Sequence, residues 1–201
     1  MRNNAIRDLV FASIIVAIIV FLSFTMLGFI TYGDLVSITI IHIPVLVGAI
    51  MLGKKVGVLL GTVFGICSMI LAFMVRGGNA PFTNPLLSIL PRVLFGWYIY
   101  PLYLFFNKKL KRKETSTLLT MITATIFHSL SIIPFYYLFG VTGFYFFPSE
   151  APFNSNQPIL EIFTAIFSVN SAIEIALAAI VGTPIVLVLD KLQNKNETTP
   201  L

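Results

Sequence analysis

The sequence predicts an all-α membrane protein, a bundle of six transmembrane helices with both termini in the cytoplasm. Of its 201 residues, 57% are hydrophobic and only 10% are charged, and the mean hydropathy is +0.95. A soluble domain carries about 25% charged residues, so we expect one integral membrane domain over residues 1–201. The charges form short clusters between long apolar runs, which favours a role in membrane orientation over nucleic-acid binding.

Six apolar runs are long enough to cross a bilayer, for which about 20 residues are needed. The first is too long for the core of a cleaved signal peptide, so we expect it to remain as a span. The second is interrupted by His42 and Pro44. The predicted spans are residues 9–30, 35–53, 56–75, 86–107, 117–139 and 160–189.

Lysine and arginine residues are distributed unevenly across the predicted membrane. With six spans, eleven of the 13 Lys and Arg lie on the side of the two termini. They are Arg2, Arg7, Lys54, Lys55, Lys108, Lys109, Lys111, Arg112, Lys113, Lys191 and Lys195. Arg76 lies on the opposite side, and Arg92 lies inside a span. The positive-inside rule therefore places both termini in the cytoplasm.

Arg92 lies within the fourth span, directly after Pro91. A charged side chain at this depth is expected to face protein or a water-filled cavity, and Pro91 leaves a carbonyl one turn earlier without its helical donor. Arg92 is about 9 Å along its helix, while Asn170 and Glu174 share one face of the sixth span at roughly 10–20 Å. One cavity in the outer half could hold all three. The alternative is a structural ion pair between Arg92 and Glu174.

Three further side chains in the spans are weaker candidates for a binding site. His128, near the middle of the fifth span, is either a ligand contact or a buried histidine bonded to a neighbouring Ser or Thr. His42 precedes a proline in a broken helix, which favours a structural role. Trp97 stays a candidate for binding, although core packing is the usual role of such a residue.

Small residues spaced by four predict close helix contacts. Gly57, Gly61 and Gly65 open the third span, and we interpret them as packing within this chain. Ser13 and Ala17 have the same spacing in the first span and could form a flat patch for another membrane subunit. The loop at 140–158 is rich in aromatic residues, which suits either a lid over an outward-facing site or an interfacial belt.

Several function classes are excluded or disfavoured by missing motifs. No Walker A, HExxH or GxSxG motif is present, so we expect no ATP hydrolysis and no enzymatic activity in this chain. The single cysteine, Cys67, permits no internal disulfide and no zinc site. We expect neither a metal nor another cofactor.

Three groups of residues resemble the substrate-binding (S) components of energy-coupling factor (ECF) transporters. They are His42–Val45 with Gly48–Gly57, Asn84–Leu86 with Pro91–Gly96, and Asn170 with Glu174 before Thr183–Pro184. The similarity extends from about Ala5 to Lys191, nearly the whole chain.

The resemblance implies a six-helix subunit that binds a vitamin with high affinity at the outer face of a bacterial plasma membrane. It also implies two kinds of protein partner, a transmembrane coupling subunit and two ATP-hydrolysing subunits, and contact of this chain with membrane lipid. Ser13 and Ala17 match the docking patch of the family, with Ser13 in place of the usual alanine. Asn84 lies in a matching segment and joins the binding candidates.

Within the family, the chain looks closest to the pantothenate-type members. Arg92 could grip a carboxylate through two parallel N–H bonds, Asn170 could bond an amide, and Glu174 could accept from hydroxyls. Riboflavin, held in an aromatic slot, and a pyridoxine-type ligand, with its ring nitrogen at Glu174, are alternatives. So is a stand-alone secondary transporter with Glu174 and His128 as a proton relay, although no inverted repeat is visible.

Overall fold

The computed structural model describes residues 2–25, 27–31, 37–75, 81–135 and 169–198. Within these ranges the chain is helical apart from one small pair of strands. The strands, β1 (Phe29–Thr31) and β2 (Ser37–Thr39), run antiparallel with Ile30 opposite Ile38. The helices are α1 (Arg2–Ser23), α2 (His42–Leu52), α3 (Lys54–Val75), α4 (Pro85–Ser88), α5 (Leu90–Leu110), α6 (Lys113–Phe135), α7 (Val169–Leu177), a π-helical segment (Ala178–Gly182) and α8 (Thr183–Thr198).

Five of the six predicted spans are helices long and apolar enough to cross a membrane. In the described part of the chain they are Ala5–Ser23, Lys54–Val75, Pro85–Leu110, Lys113–Ile132 and Ser171–Gln193. The start of the predicted sixth span and the aromatic loop at 140–158 lie outside the described residues. The sidedness of the termini stays a prediction.

The predicted second span, 35–53, is a three-residue strand followed by the 11-residue helix α2. Pro44 is the third residue of α2, in the first turn, where its missing N–H would have no helical acceptor. Eleven residues rise about 16 Å, roughly half the thickness of the hydrocarbon core. This run is therefore apolar because it is buried in protein: eight of its 11 residues are buried, as expected of a helix that is hydrophobic all round.

Helices α3 and α5 run antiparallel in close contact, and glycines make that contact possible. A Cβ on Gly57 would lie 2.4 Å from the carbonyl oxygen of Gly96, and a Cβ on Gly61 would lie 2.2 Å from that of Arg92. One on Gly65 would lie 2.7 Å from the Cα of Ile89. The prediction that these three glycines pack within the chain is confirmed. Their packing fixes where Arg92 lies relative to α3.

The π-helical segment Ala178–Gly182 lies between α7 and α8, directly before Thr183 and Pro184. Pro184 cannot donate to the carbonyl four residues earlier, and a local π turn is one adjustment that accommodates a proline in a transmembrane helix. A Cβ on Gly182 would lie 3.0 Å from the Sδ of Met121. The segment is therefore packed closely against α6.

Candidate functional site

Arg92 is buried near the start of α5, with 5% of its surface exposed. Its Nη1 donates a hydrogen bond of 2.9 Å to the carbonyl oxygen of Leu87. Leu87 is four residues before Pro91, so this is the carbonyl that the proline leaves without a helical donor. The Nε of Arg92 is also buried, and it has no hydrogen-bond partner among the described residues. One side of the guanidinium is thus satisfied by its own chain, and the other offers an unused donor.

Two aromatic rings flank the guanidinium of Arg92. The Cζ atom lies 4.9 Å from the ring centroid of Phe82 and 5.7 Å from that of Phe64. Cation–π contacts at these distances stabilise a charge that has lost its water, but they supply no hydrogen-bond acceptor. The rings therefore hold the arginine in an apolar setting without neutralising it.

His128 of α6 also lies near the ring of Phe64. Only 2% of its surface is exposed, and its ring centroid is 4.5 Å from that of Phe95 and 5.9 Å from that of Phe64. Its Nδ1 is buried without a hydrogen-bond partner in the described ranges. The neighbouring Ser131 donates to the backbone carbonyl of His128 and not to the ring. A second polar atom that needs a partner thus lies near Arg92.

Glu174 of α7 is buried, with 7% of its surface exposed. Its Oε1 accepts two hydrogen bonds of 2.8 Å from Thr39, one from the backbone N–H and one from the hydroxyl. The carbonyl of Thr39 in turn accepts a hydrogen bond of 2.8 Å from Nδ1 of His42. Glu174, Thr39 and His42 form a group that we call the Thr39 clasp. It ties α7 to the point where β2 leads into α2.

Glu174 of the Thr39 clasp lies close enough to Arg92 for the two side chains to interact electrostatically. Arg92 and Glu174 do not form a direct ion pair, although both belong to the described part of the chain. They are nevertheless close enough to interact electrostatically, as are His42 and His128 with their charged neighbours. The structure therefore places both Glu174 and His128 within electrostatic reach of Arg92. The prediction that Arg92, Asn170 and Glu174 share one cavity stays a prediction.

Asn84 lies at the start of the short helix that precedes Arg92. Its side-chain oxygen accepts a hydrogen bond of 2.9 Å from the backbone N–H of Leu86, which makes it the N-cap of α4. Pro85 follows at the first helical position, where a proline is favoured. The cap fixes the start of the short helix that leads into α5 and Arg92.

Trp97 lies apart from this group. Its side chain is 49% exposed, and the ammonium of Lys54 lies 4.2 Å from its ring centroid. Asn170 belongs to α7, but its side chain lies outside the described residues.

Ser13 and Ala17 are both exposed on α1. The hydroxyl of Ser13 donates to the carbonyl of Leu9 in the same helix, at 2.8 Å. The hydroxyl therefore needs no partner from outside α1, which leaves the surface open to apolar contact. Large apolar side chains surround the two small ones and are exposed as well, namely Val10, Ile14, Ile18 and Phe21.

Sequence reasoning missed Thr39 and gave His42 only an unspecified structural role. A partial indication was present, because Thr39 lies three residues before His42 at the point where polar residues interrupt the second apolar run. The partner of Thr39 is 135 residues away in sequence, and no local pattern connects the two. No three His, Cys, Asp or Glu side chains of the described residues lie close enough together to hold a metal ion.

The arrangement suits the binding of a small polar molecule. A buried guanidinium with one unused donor can take an anionic or carbonyl oxygen, and a charge-assisted bond of that kind is among the stronger ones. His128 and Glu174 can meet polar groups of the same small molecule from the α6 and α7 sides.

Comparison with known proteins agrees with this view. Residues 7–186 match the family model described as ECF transporter, substrate-specific component. A relative from Lactococcus lactis subsp. cremoris, the "Pantothenic acid transporter PanT", is 26% identical over an alignment of 212 residues. The alignment covers 98% of this chain and 100% of the relative. A "Pantothenate transporter PanT" from Leuconostoc mesenteroides is 32% identical over 120 residues, which cover 57% of each chain.

The membrane-spanning helices and these relatives together identify a multi-pass protein of the bacterial plasma membrane. The family model covers most of the chain, including the segments that carry Arg92 and Glu174. The chain belongs to the family of substrate-specific components of ECF transporters.

Proposed function

We propose that this chain is the vitamin-binding subunit of an ATP-driven ECF importer and that its vitamin is pantothenate. The observation that carries the proposal is the state of Arg92: a buried cation whose Nε has no partner among the described residues. Leaving such a group unpaired costs free energy. A ligand carboxylate would supply the missing acceptor and the opposite charge.

Pantothenate fits the polar groups around Arg92. Its carboxylate would bond the guanidinium, and its amide and two hydroxyls would remain for partners on the other helices. His128 offers an unpaired Nδ1. Since Thr39 already donates twice to Oε1 of Glu174, Oε2 is the oxygen we assign to a ligand hydroxyl. We assign Asn170 to the amide. Both PanT relatives are named for transport of this vitamin.

Transport would require partner subunits, since this chain contains no Walker A motif. We propose a transmembrane coupling subunit and two ATPase subunits as those partners. The exposed small residues Ser13 and Ala17 on α1 would allow a helix of the coupling subunit to approach closely.

Ligand binding to the purified subunit tests the proposal. We expect pantothenate to be identified by mass spectrometry in the purified protein and to bind more tightly than riboflavin or pyridoxine. Arg92→Gln should weaken binding about 30- to 1000-fold, because a charge-assisted contact in a desolvated site is lost. Arg92→Lys should recover only part of the affinity, because an ammonium lacks the planar fork.

Arg112→Gln is the matched control. It removes an exposed arginine at the turn between α5 and α6 and should leave the affinity unchanged. Wild-type affinity of a folded Arg92→Gln variant would refute the assignment of the anchor. If riboflavin or pyridoxine binds more tightly than pantothenate, the assignment of pantothenate as the ligand would be wrong. Uptake that persists without the ATPase subunits would favour a secondary transporter.

A further inference from the structure

A groove between α5 and α6 lies outside the Arg92 site and faces away from the core. It has a volume of about 780 Å³ and is lined by side chains that include Leu94, Trp97, Pro101, Leu102, Phe127 and Leu130. Trp97 and Phe127 are each about half exposed. From Leu94 to Leu102 the groove extends about 12 Å along α5, which is most of one leaflet of the hydrocarbon core.

A cation lies beside this apolar groove. The Nζ of Lys54 is 4.2 Å from the ring centroid of Trp97, which forms part of the wall. Lys54 is exposed and forms no ion pair with the acidic side chains of the described residues. It is the first residue of α3, so it marks one end of a membrane span. A lysine over an aromatic ring at that level is typical of a membrane interface.

An apolar groove and a cation are thus combined around the side chain of Trp97. A long hydrocarbon chain alone would use only the groove, whereas a lipid with an anionic head group would use both.

We propose that this groove binds one anionic phospholipid from the leaflet at the Lys54 end of the span. The acyl chain lies along α5 from Pro101 towards Leu94, and the phosphate is next to the ammonium of Lys54. This binding does not depend on the identity of the vitamin.

Fluorescence of the intact subunit in vesicles can test the site directly, because Trp97 is the single tryptophan of the chain. Phospholipids with brominated acyl chains quench a tryptophan that they touch. We would compare brominated phosphatidylglycerol with brominated phosphatidylcholine, each mixed into unlabelled phosphatidylcholine at equal mole fractions. We expect about a fivefold preference for the anionic lipid, the effect of one lysine near the membrane surface.

Lys54→Gln should reduce this preference to near unity. Lys55→Gln is the matched control, because Lys55 is the next residue, carries the same charge and is also exposed; it should leave the preference in place. Equal quenching of the wild type by both lipids would refute the anionic site. An equal loss in the Lys55→Gln variant would show general surface attraction instead. Absence of quenching by either lipid would mean that protein covers the groove.

Discussion

Replacing Thr39 with valine tests the hydrogen bonds that hold Glu174. The hydroxyl and the backbone N–H of Thr39 are each 2.8 Å from Oε1 of Glu174. Valine keeps the β-branched shape and the backbone donor but removes the hydroxyl. The substitution therefore deletes one hydrogen bond to a buried carboxylate and leaves the other in place.

The expected loss of stability follows from the kind of bond removed. A hydrogen bond to a charged group contributes about 1.5–3 kcal/mol. For a chain of about 200 residues, each kcal/mol corresponds to about 2–4 °C in Tm. Thr39→Val should therefore lower the Tm of the ligand-free protein by about 3–12 °C. Since Glu174→Gln weakens the same contact, the double variant should be more stable than the sum of the two losses predicts, by about 0.5–3 kcal/mol.

Thermal unfolding of the purified protein in detergent measures both effects. Thr62→Val is the control, because the hydroxyl of Thr62 bonds the carbonyl of Val58 within its own helix. Its Tm should change much less than that of Thr39→Val. A Thr39→Val variant within about 1 °C of the wild type, or strictly additive losses in the double variant, would refute the structural role of the clasp.

Three further predictions concern packing, assembly and orientation. Gly61→Ala should destabilise the fold by about 1–3 kcal/mol, because its Cβ would lie 2.2 Å from the carbonyl oxygen of Arg92; an unchanged Tm would contradict the observed helix contact. Replacing both Ser13 and Ala17 with leucine should weaken complex assembly and uptake but leave vitamin binding by the isolated subunit intact, and a parallel fall in binding would point to internal packing instead. A reporter fused after Leu201 should be active in the cytoplasm, and activity only outside the cell would reverse the topology.

The surroundings of Arg92 show what local sequence can predict. Pro91 removes a backbone N–H, so arithmetic along the helix identifies Leu87 as the carbonyl that needs a donor. Arg92 supplies that donor, since its Nη1 bonds the carbonyl oxygen of Leu87. Local reasoning can identify this carbonyl because Leu87, Pro91 and Arg92 belong to one continuous stretch of backbone.

The second apolar run shows where such reasoning stops. Hydropathy measures whether a segment avoids water, and burial in protein satisfies that condition as well as burial in lipid. Hydropathy therefore did not reveal that α2, the helical part of the run at 35–53, is only 11 residues long and mostly buried in protein. Likewise, the bond between Thr39 and Glu174 joins distant segments, and only the packing of α7 against the β2–α2 junction reveals it.

Helix α3 connects the stability of the fold to the properties of the binding site. Gly61 and Phe64 lie on one face of α3, three residues apart. Gly61 lies against the backbone of Arg92, and the ring of Phe64 faces both the guanidinium of Arg92 and the ring of His128. A wider spacing between α3 and α5 would move the ring of Phe64 away from the guanidinium while leaving the bond of Arg92 to Leu87 possible. Substitutions at Gly61 should therefore lower vitamin affinity even in variants that remain folded, because a guanidinium without this ring beside it would be positioned less precisely for its ligand.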